Sequence, residues 1–328
     1  MIENETIEAA VPDRDERQRV IRTEFKGEFW KPCPGTTAPY YCCGYQIITP
    51  MTGCGMYCRY CVLQAYFEHH DQTVYENFND LEREVREKMA TRQGVVRFGT
   101  GEFGDSLFLD NETQFSVKIA SLLEPYNAVV EFKTKSTNID NLKKIKKPGR
   151  VIIGFSLNAP SRIALLEKDT ASLTDRLTAA SKCIGMGFNV AFHFDPMFWF
   201  DNCCDEYRGV VRQIFDYVKQ PEKIAYISMG GFRTMPSLKP FLKKNNCHLP
   251  LFSGEMINGA DGKLRYFRPI RTALYTAMRE EFEKCYPQTT LYLCMESPEV
   301  WDDSGMRPRI PEGLVRYLDK RAEQILAE

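Results

Sequence analysis

The chain has 328 residues, 43% hydrophobic and 27% charged, with a formal net charge of −1. That balance is ordinary for a globular protein of one large or two modest domains, and it argues against long disorder, collagen-like repeats and coiled coil. Charge this close to zero gives no general support for gripping nucleic acid over a broad surface.

No apolar run reaches the roughly 18 residues of a membrane-crossing helix. The polar, acidic start (MIENETIEAAVPDRDERQR) does not read as a secretory signal. A cytoplasmic protein with no membrane partner is therefore expected. In that setting the 12 cysteines read as metal ligands, reactive thiols or small core residues rather than as a disulfide framework.

Residues 1–40 are charged and then rich in Pro, Gly and Thr, which reads as a lead-in arm. From Tyr45 onward, short apolar runs predict strands at Gln46–Thr49, Val95–Gly99, Val129–Thr134, Val151–Leu157, Asn189–Phe194 and Ile224–Met229. Helical spacing recurs between them, at Leu81–Thr91, Thr113–Leu123, Asn138–Ile145, Ser172–Met186 and Glu206–Lys219. Strand and helix in strict turn favour a parallel sheet over 41–232. The periodicity fits a partial barrel and a doubly wound sheet equally well. Residues 233–328 break the rhythm with a Pro-punctuated piece, a turn-rich run at Asn258–Lys263, a helix from Arg271 to Lys284 and a strand-like TLYLCME. They read as an extension packed on the sheet.

The most specific feature is TGCGMYCRYC, a C-x3-C-x2-C spacing of Cys54, Cys58 and Cys61 just after the first predicted strand. Three thiolates on one tight loop can each take an iron of a cubane cluster and leave the fourth iron open to a small molecule. Two other readings stand beside it. One is zinc, with His69, His70, Cys42 or Cys43 completing the site; the other is three unrelated core cysteines.

On these residues the chain resembles the radical S-adenosylmethionine (SAM) enzymes. Within them it is most similar to the spore photoproduct lyase family, through VEFKTKSTNIDNL, GFSLN, AFHFDPMFW, SMGGFR, LRYFRPIR and YLCMESPEVW. The resemblance implies an α/β fold: a partial (β/α)6 barrel over 41–232 with an N-terminal arm, closed by a C-terminal extension that contributes to substrate binding. It implies a [4Fe–4S] cluster on Cys54, Cys58 and Cys61, with SAM on the open iron and a 5′-deoxyadenosyl radical that abstracts hydrogen from substrate. Tyr60, Gly101, Glu102, Lys135, Ser156 and Asn158 would surround SAM. A flavodoxin or ferredoxin would supply the electron, and a monomer is expected.

Tyr60, His193, Asp195 and Cys294 are the catalytic candidates. His193 and Asp195 are also readable as a satisfied core pair, and Cys203 and Cys204 compete with Cys294 as thiols. Arg233, Arg265 and Arg268 are the substrate candidates. Lys263, Arg265, Arg268 and Arg271 interleave with Tyr266 and Phe267, as in a nucleic-acid strip. The run Lys143, Lys144, Lys146, Lys147 and Arg150 reads as a solvated helix end. Two residues depart from the family pattern: Glu102 stands where the lyase has its hydrogen-donor cysteine, and Val62 where it has a tyrosine. The expected activity is lyase-type DNA photoproduct repair. The alternatives are the same radical machinery on a small molecule, modified nucleoside or peptide, and a non-catalytic zinc module.

Overall fold

The computed structural model describes residues 19–328 except 36, 68–70, 168, 245–248 and 253. Seven strands run in parallel and in chain order across one sheet: β1 (Gln46–Ile48), β2 (Val96–Gly99), β3 (Ala128–Thr134), β4 (Val151–Ser156), β5 (Asn189–Met197), β6 (Ile224–Gly231) and β7 (Leu291–Leu293). Trp30–Pro32 adds an antiparallel edge beside β1. The sheet curls without pairing its two edges, so the fold is a partial barrel. Strands such as β4 (VIIGFS) are buried along their whole length, as expected for a parallel sheet covered on both faces.

Outside the sheet lie α1 (Phe78–Met89), α2 (Phe115–Leu123), α3 (Leu173–Gly185), α4 (Cys203–Tyr217), α5 (Arg268–Cys285) and α6 (Leu314–Ala327). Their apolar residues recur at helical spacing: α1 buries Leu81, Val85 and Met89, one above the other on one face. Ser172 starts α3 by accepting a hydrogen bond from Asp175 N at 3.1 Å, which satisfies one of the orphan amides of the first turn. The last helix, α6, packs on β2, β3 and β6. With Arg97, Val129, Ile152 and Tyr226 it lines the N-terminal end of the strands, so it plugs that end of the barrel.

Several elements differ from the sequence expectation. Asn138–Ile145 forms only a single tight turn, Asp140–Lys144, because few of its residues are buried and Pro148 soon bars continuation. Gln72–Tyr75, unmarked by any alternation in the sequence, pairs with Val20–Thr23 and Met51–Thr52. The turn-rich run at Asn258–Lys263 is the tip of a hairpin, Met256–Asn258 with Leu264–Tyr266. No helix among the described residues is long and apolar enough to cross a membrane.

Candidate active site

The cysteine loop leaves Thr52 and enters a short helix, Leu63–Tyr66. Gly53 makes the departure: its φ is +84°, and a Cβ there would meet Asp71 O at 2.5 Å. Gly53 N donates to Phe103 O at 2.8 Å, tying the loop to the chain after β2. Cys61 N and Gln64 Nε2 both donate to Cys58 O, at 2.9 and 2.7 Å. Cys54, Cys58 and Cys61 line one cavity of about 210 Å³ together with Tyr60, Gly101, Glu102, Asp105, Lys133, Lys135, Ser156 and Asp195.

The rest of the wall follows from topology. Glu102 comes just after β2, Lys135 after β3, Ser156 at the end of β4 and Asp195 late in β5; outside the lining, Arg233 after β6 bonds Asp195 and Cys294 after β7 lies next to Arg233. The cavity therefore opens at the carboxyl ends of successive strands, where parallel α/β sheets hold their ligands.

Tyr60 packs edge-on against Phe198, ring centroids 5.1 Å apart, and donates its hydroxyl to Glu167. Glu167 is held in turn by Arg176 at 2.7 Å. Arg176, fully buried, also donates to Ser156 O at 2.8 Å and Ala171 O at 2.9 Å. Lys135 Nζ lies 5.9 Å from the centre of the Tyr60 ring.

Asp105 accepts from Lys135 N and Thr134 Oγ1, each at 2.7 Å, and from Leu107 N at 3.0 Å. Burial still pushes its carboxyl up. Lys133 pairs with Glu102 at 3.0 Å. Burial would lower the Lys133 ammonium, but Glu102 and Glu131 outweigh it and raise it. Across the cavity Arg233 holds Asp195 at 2.9 Å. There burial would raise the carboxyl, yet the guanidinium keeps it low.

Other expected site residues lie elsewhere. His193 does not line the cavity. It is buried against Glu131, which also accepts from Tyr45 Oη at 2.8 Å. Asn158 is committed inside the fold, donating to Pro196 O at 3.2 Å and accepting from Tyr207 Oη at 2.7 Å and Ala159 N at 3.0 Å. Cys294 stands behind Asp195, its sulfur 3.5 Å from Arg233 Nη2. Cys203 and Cys204 open α4 and do not line the cavity.

The basic strip is not exposed as a strip. Arg265 is buried in a two-pronged pair with Asp261 at 2.6 and 2.7 Å, and Arg271 is buried against Glu296. Arg268 alone of the three substrate candidates faces solvent, 3.4 Å from Asp303. His69 and His70 fall outside the described residues.

The donor set fits an iron–sulfur cubane. Three thiols line a shared space, which suits one thiolate on each of three irons.

A sequence model for spore photoproduct lyase matches residues 42–233, more than half of the chain. The chain belongs to the spore photoproduct lyase family. It is 23% identical over 207 residues to the spore photoproduct lyase of Clostridium acetobutylicum, covering 61% of each chain. It is 26% identical over 170 residues to that of a Geobacillus species, covering 50% of each. The chain thus spans less than two thirds of the length of these curated relatives.

A solved double mutant of spore photoproduct lyase with bound AdoMet and dinucleoside spore photoproduct superposes with a TM-score of 0.76 at 20% identity, over 85% of this chain and 84% of that one. The lyase complexed with the dinucleoside spore photoproduct gives 0.75 at the same identity, over the same shares of the two chains. That likeness shows the fold.

The sequence reading missed Lys133, Asp105, Glu167 and Arg176. Lys133 had a signal: Glu131, Lys133 and Lys135 alternate through an apolar strand and so share one face.

Proposed function

We propose that the chain is a radical SAM enzyme that cleaves a thymine adduct of the spore photoproduct kind. The observation that carries this is the convergence of three loop thiols with Lys135, Glu102 and Ser156 on one cavity at the carboxyl ends of the strands. When bound, a [4Fe–4S] cluster supplies the electron that breaks the sulfonium of SAM into methionine and a 5′-deoxyadenosyl radical.

The chain's own residues do the holding. Cys54, Cys58 and Cys61 bind three irons. Lys135 offers its ammonium to the SAM carboxylate, and Glu102 with the backbone at Gly101 offers acceptors to the amino group. Tyr60, fixed through Glu167 and Arg176, walls the pocket against water.

The hydrogen donor falls to Cys294. Burial, with Asp195 adding to it and Arg233 opposing, pushes its thiol up and keeps the S–H bond. A weak S–H bond gives hydrogen to a carbon radical; the carboxyl of Glu102 cannot. DNA is the proposed bearer of the adduct. The second reading, a smaller substrate, is favoured by the burial of Arg265 and Arg271.

The discriminating experiment offers dinucleoside spore photoproduct and a photoproduct-bearing oligonucleotide to reconstituted enzyme. Thymine restored in both supports repair. SAM cleavage without thymine release assigns the machinery to another substrate. The extension 233–328 is proposed to close the barrel and to contribute to binding that substrate.

A further inference from the structure

Resting on the radical SAM reading, which requires an external electron, we propose that Leu238–Lys244 and Tyr66 form the docking surface for an acidic one-electron carrier. The short helix Leu238–Lys244 turns Leu238 and Leu242 inward, into an apolar cluster that contains Cys58 and Tyr60 and reaches Cys61 and Ala65. It packs on Leu63–Tyr66, the helix that begins two residues after Cys61. Its outer face carries Lys239, Lys243 and Lys244, all exposed. Lys239 lies 5.3 Å from the Phe252 ring centre, and Lys243 and Lys244 have no acidic partner among the described residues.

On the neighbouring helix Leu63–Tyr66, Tyr66 is 61% exposed, held edge-on to Phe67 and parallel to Phe103 at ring-centroid distances of 5.2 and 6.1 Å. An exposed aromatic on one helix and unpaired cations on the helix packed against it are residue types suited to a transient, charge-steered protein interface. The path inward from that face to the thiols is one helix thickness, on the order of 10 Å.

The charge and the place select the occupant. A carrier with an acidic surface is drawn to unpaired lysines and slowed by salt. Duplex DNA instead presents a charge about every 1.7 Å along its axis and calls for a longer row of cations. In the step itself the carrier loses one electron and the cluster gains it, with no proton or group transferred.

The test compares wild type with the variant Lys243→Glu/Lys244→Glu, whose positions are exposed and outside the cavity. A flavodoxin is titrated onto each protein by fluorescence, and bleaching of cluster absorbance is timed with flavodoxin hydroquinone and with dithionite. The expected result is flavodoxin affinity weakened about tenfold or more at low salt, the difference closing at high salt, with dithionite bleaching within about twofold of wild type. Unchanged flavodoxin affinity overturns the assignment. So does a loss confined to duplex oligonucleotide binding. Failure of wild type to cleave SAM with dithionite would instead strike the radical SAM reading, leaving the affinity comparison to judge the surface.

Discussion

At Glu131 burial would raise the carboxyl, but His193, followed by Lys133 and the Tyr45 hydroxyl, brings it down to about 2. A carboxyl lowered on folding adds stability that is complete above the unfolded value of 4.5 and fades as pH falls through the folded one. Acid unfolding should therefore steepen between those limits, and Glu131→Gln should flatten that limb in denaturant titrations taken at successive pH values. A limb of equal slope in the variant would place the acid sensitivity elsewhere.

Lys135 makes a different prediction. Its replacement by Ala removes one charge-assisted contact, so SAM affinity should drop roughly ten- to a hundredfold while iron content stays the same. Calorimetric titration with SAM and an iron assay separate the two effects. Cys58→Ala, by contrast, should abolish cluster absorbance and SAM cleavage together.

The candidate cluster cysteines were legible because the three sit within eight consecutive residues, and Glu102, Lys135 and Ser156 because they stand at or just past the ends of strands whose apolar runs are plain. Asp105, Glu167 and Arg176 were not. Asp105 meets Lys135 from 30 positions away and Glu167 meets Tyr60 from 107, separations no local pattern encodes. His193 misled because alternation fixes a face of the strand, not the partner waiting on it.

On the scale of elements, the strands were readable as unbroken β-branched and aromatic runs, and α1 through its stripe of buried residues. The connection after β3 was not, since its lysines keep helical spacing while its buried residues are too few to hold a helix. The short pairings after Thr52 and around the hairpin owe their place to neighbours distant in sequence.

Helix α3 does more than cover the sheet. Through Arg176 it holds Glu167 and thereby Tyr60. Arg176→Met would leave the buried Glu167 without its paired guanidinium, keeping only the Tyr60 hydroxyl and the more distant Lys135 charge; the variant should lose up to about 3–5 kcal/mol and show a lower urea midpoint. A midpoint within error of wild type would mean that Glu167 is neutral or rehydrated.

Across the whole molecule, the two ends of the barrel have different work. The N-terminal ends of the strands are sealed by α6, which buries Leu314, Leu318, Ala322 and Ile325. The carboxyl ends stay open and carry the three loop thiols with Glu102, Lys133, Lys135 and Asp195. Periodicity alone left a doubly wound sheet as good as a barrel; the sequential strand order decides it.

That division places the chemistry at one mouth, and the measurement that tests it most directly is metal analysis of protein purified and reconstituted without oxygen, followed by dithionite and SAM. The account predicts four irons and four sulfides per chain and formation of 5′-deoxyadenosine. Tightly held zinc in their place, with SAM left intact, would contradict it.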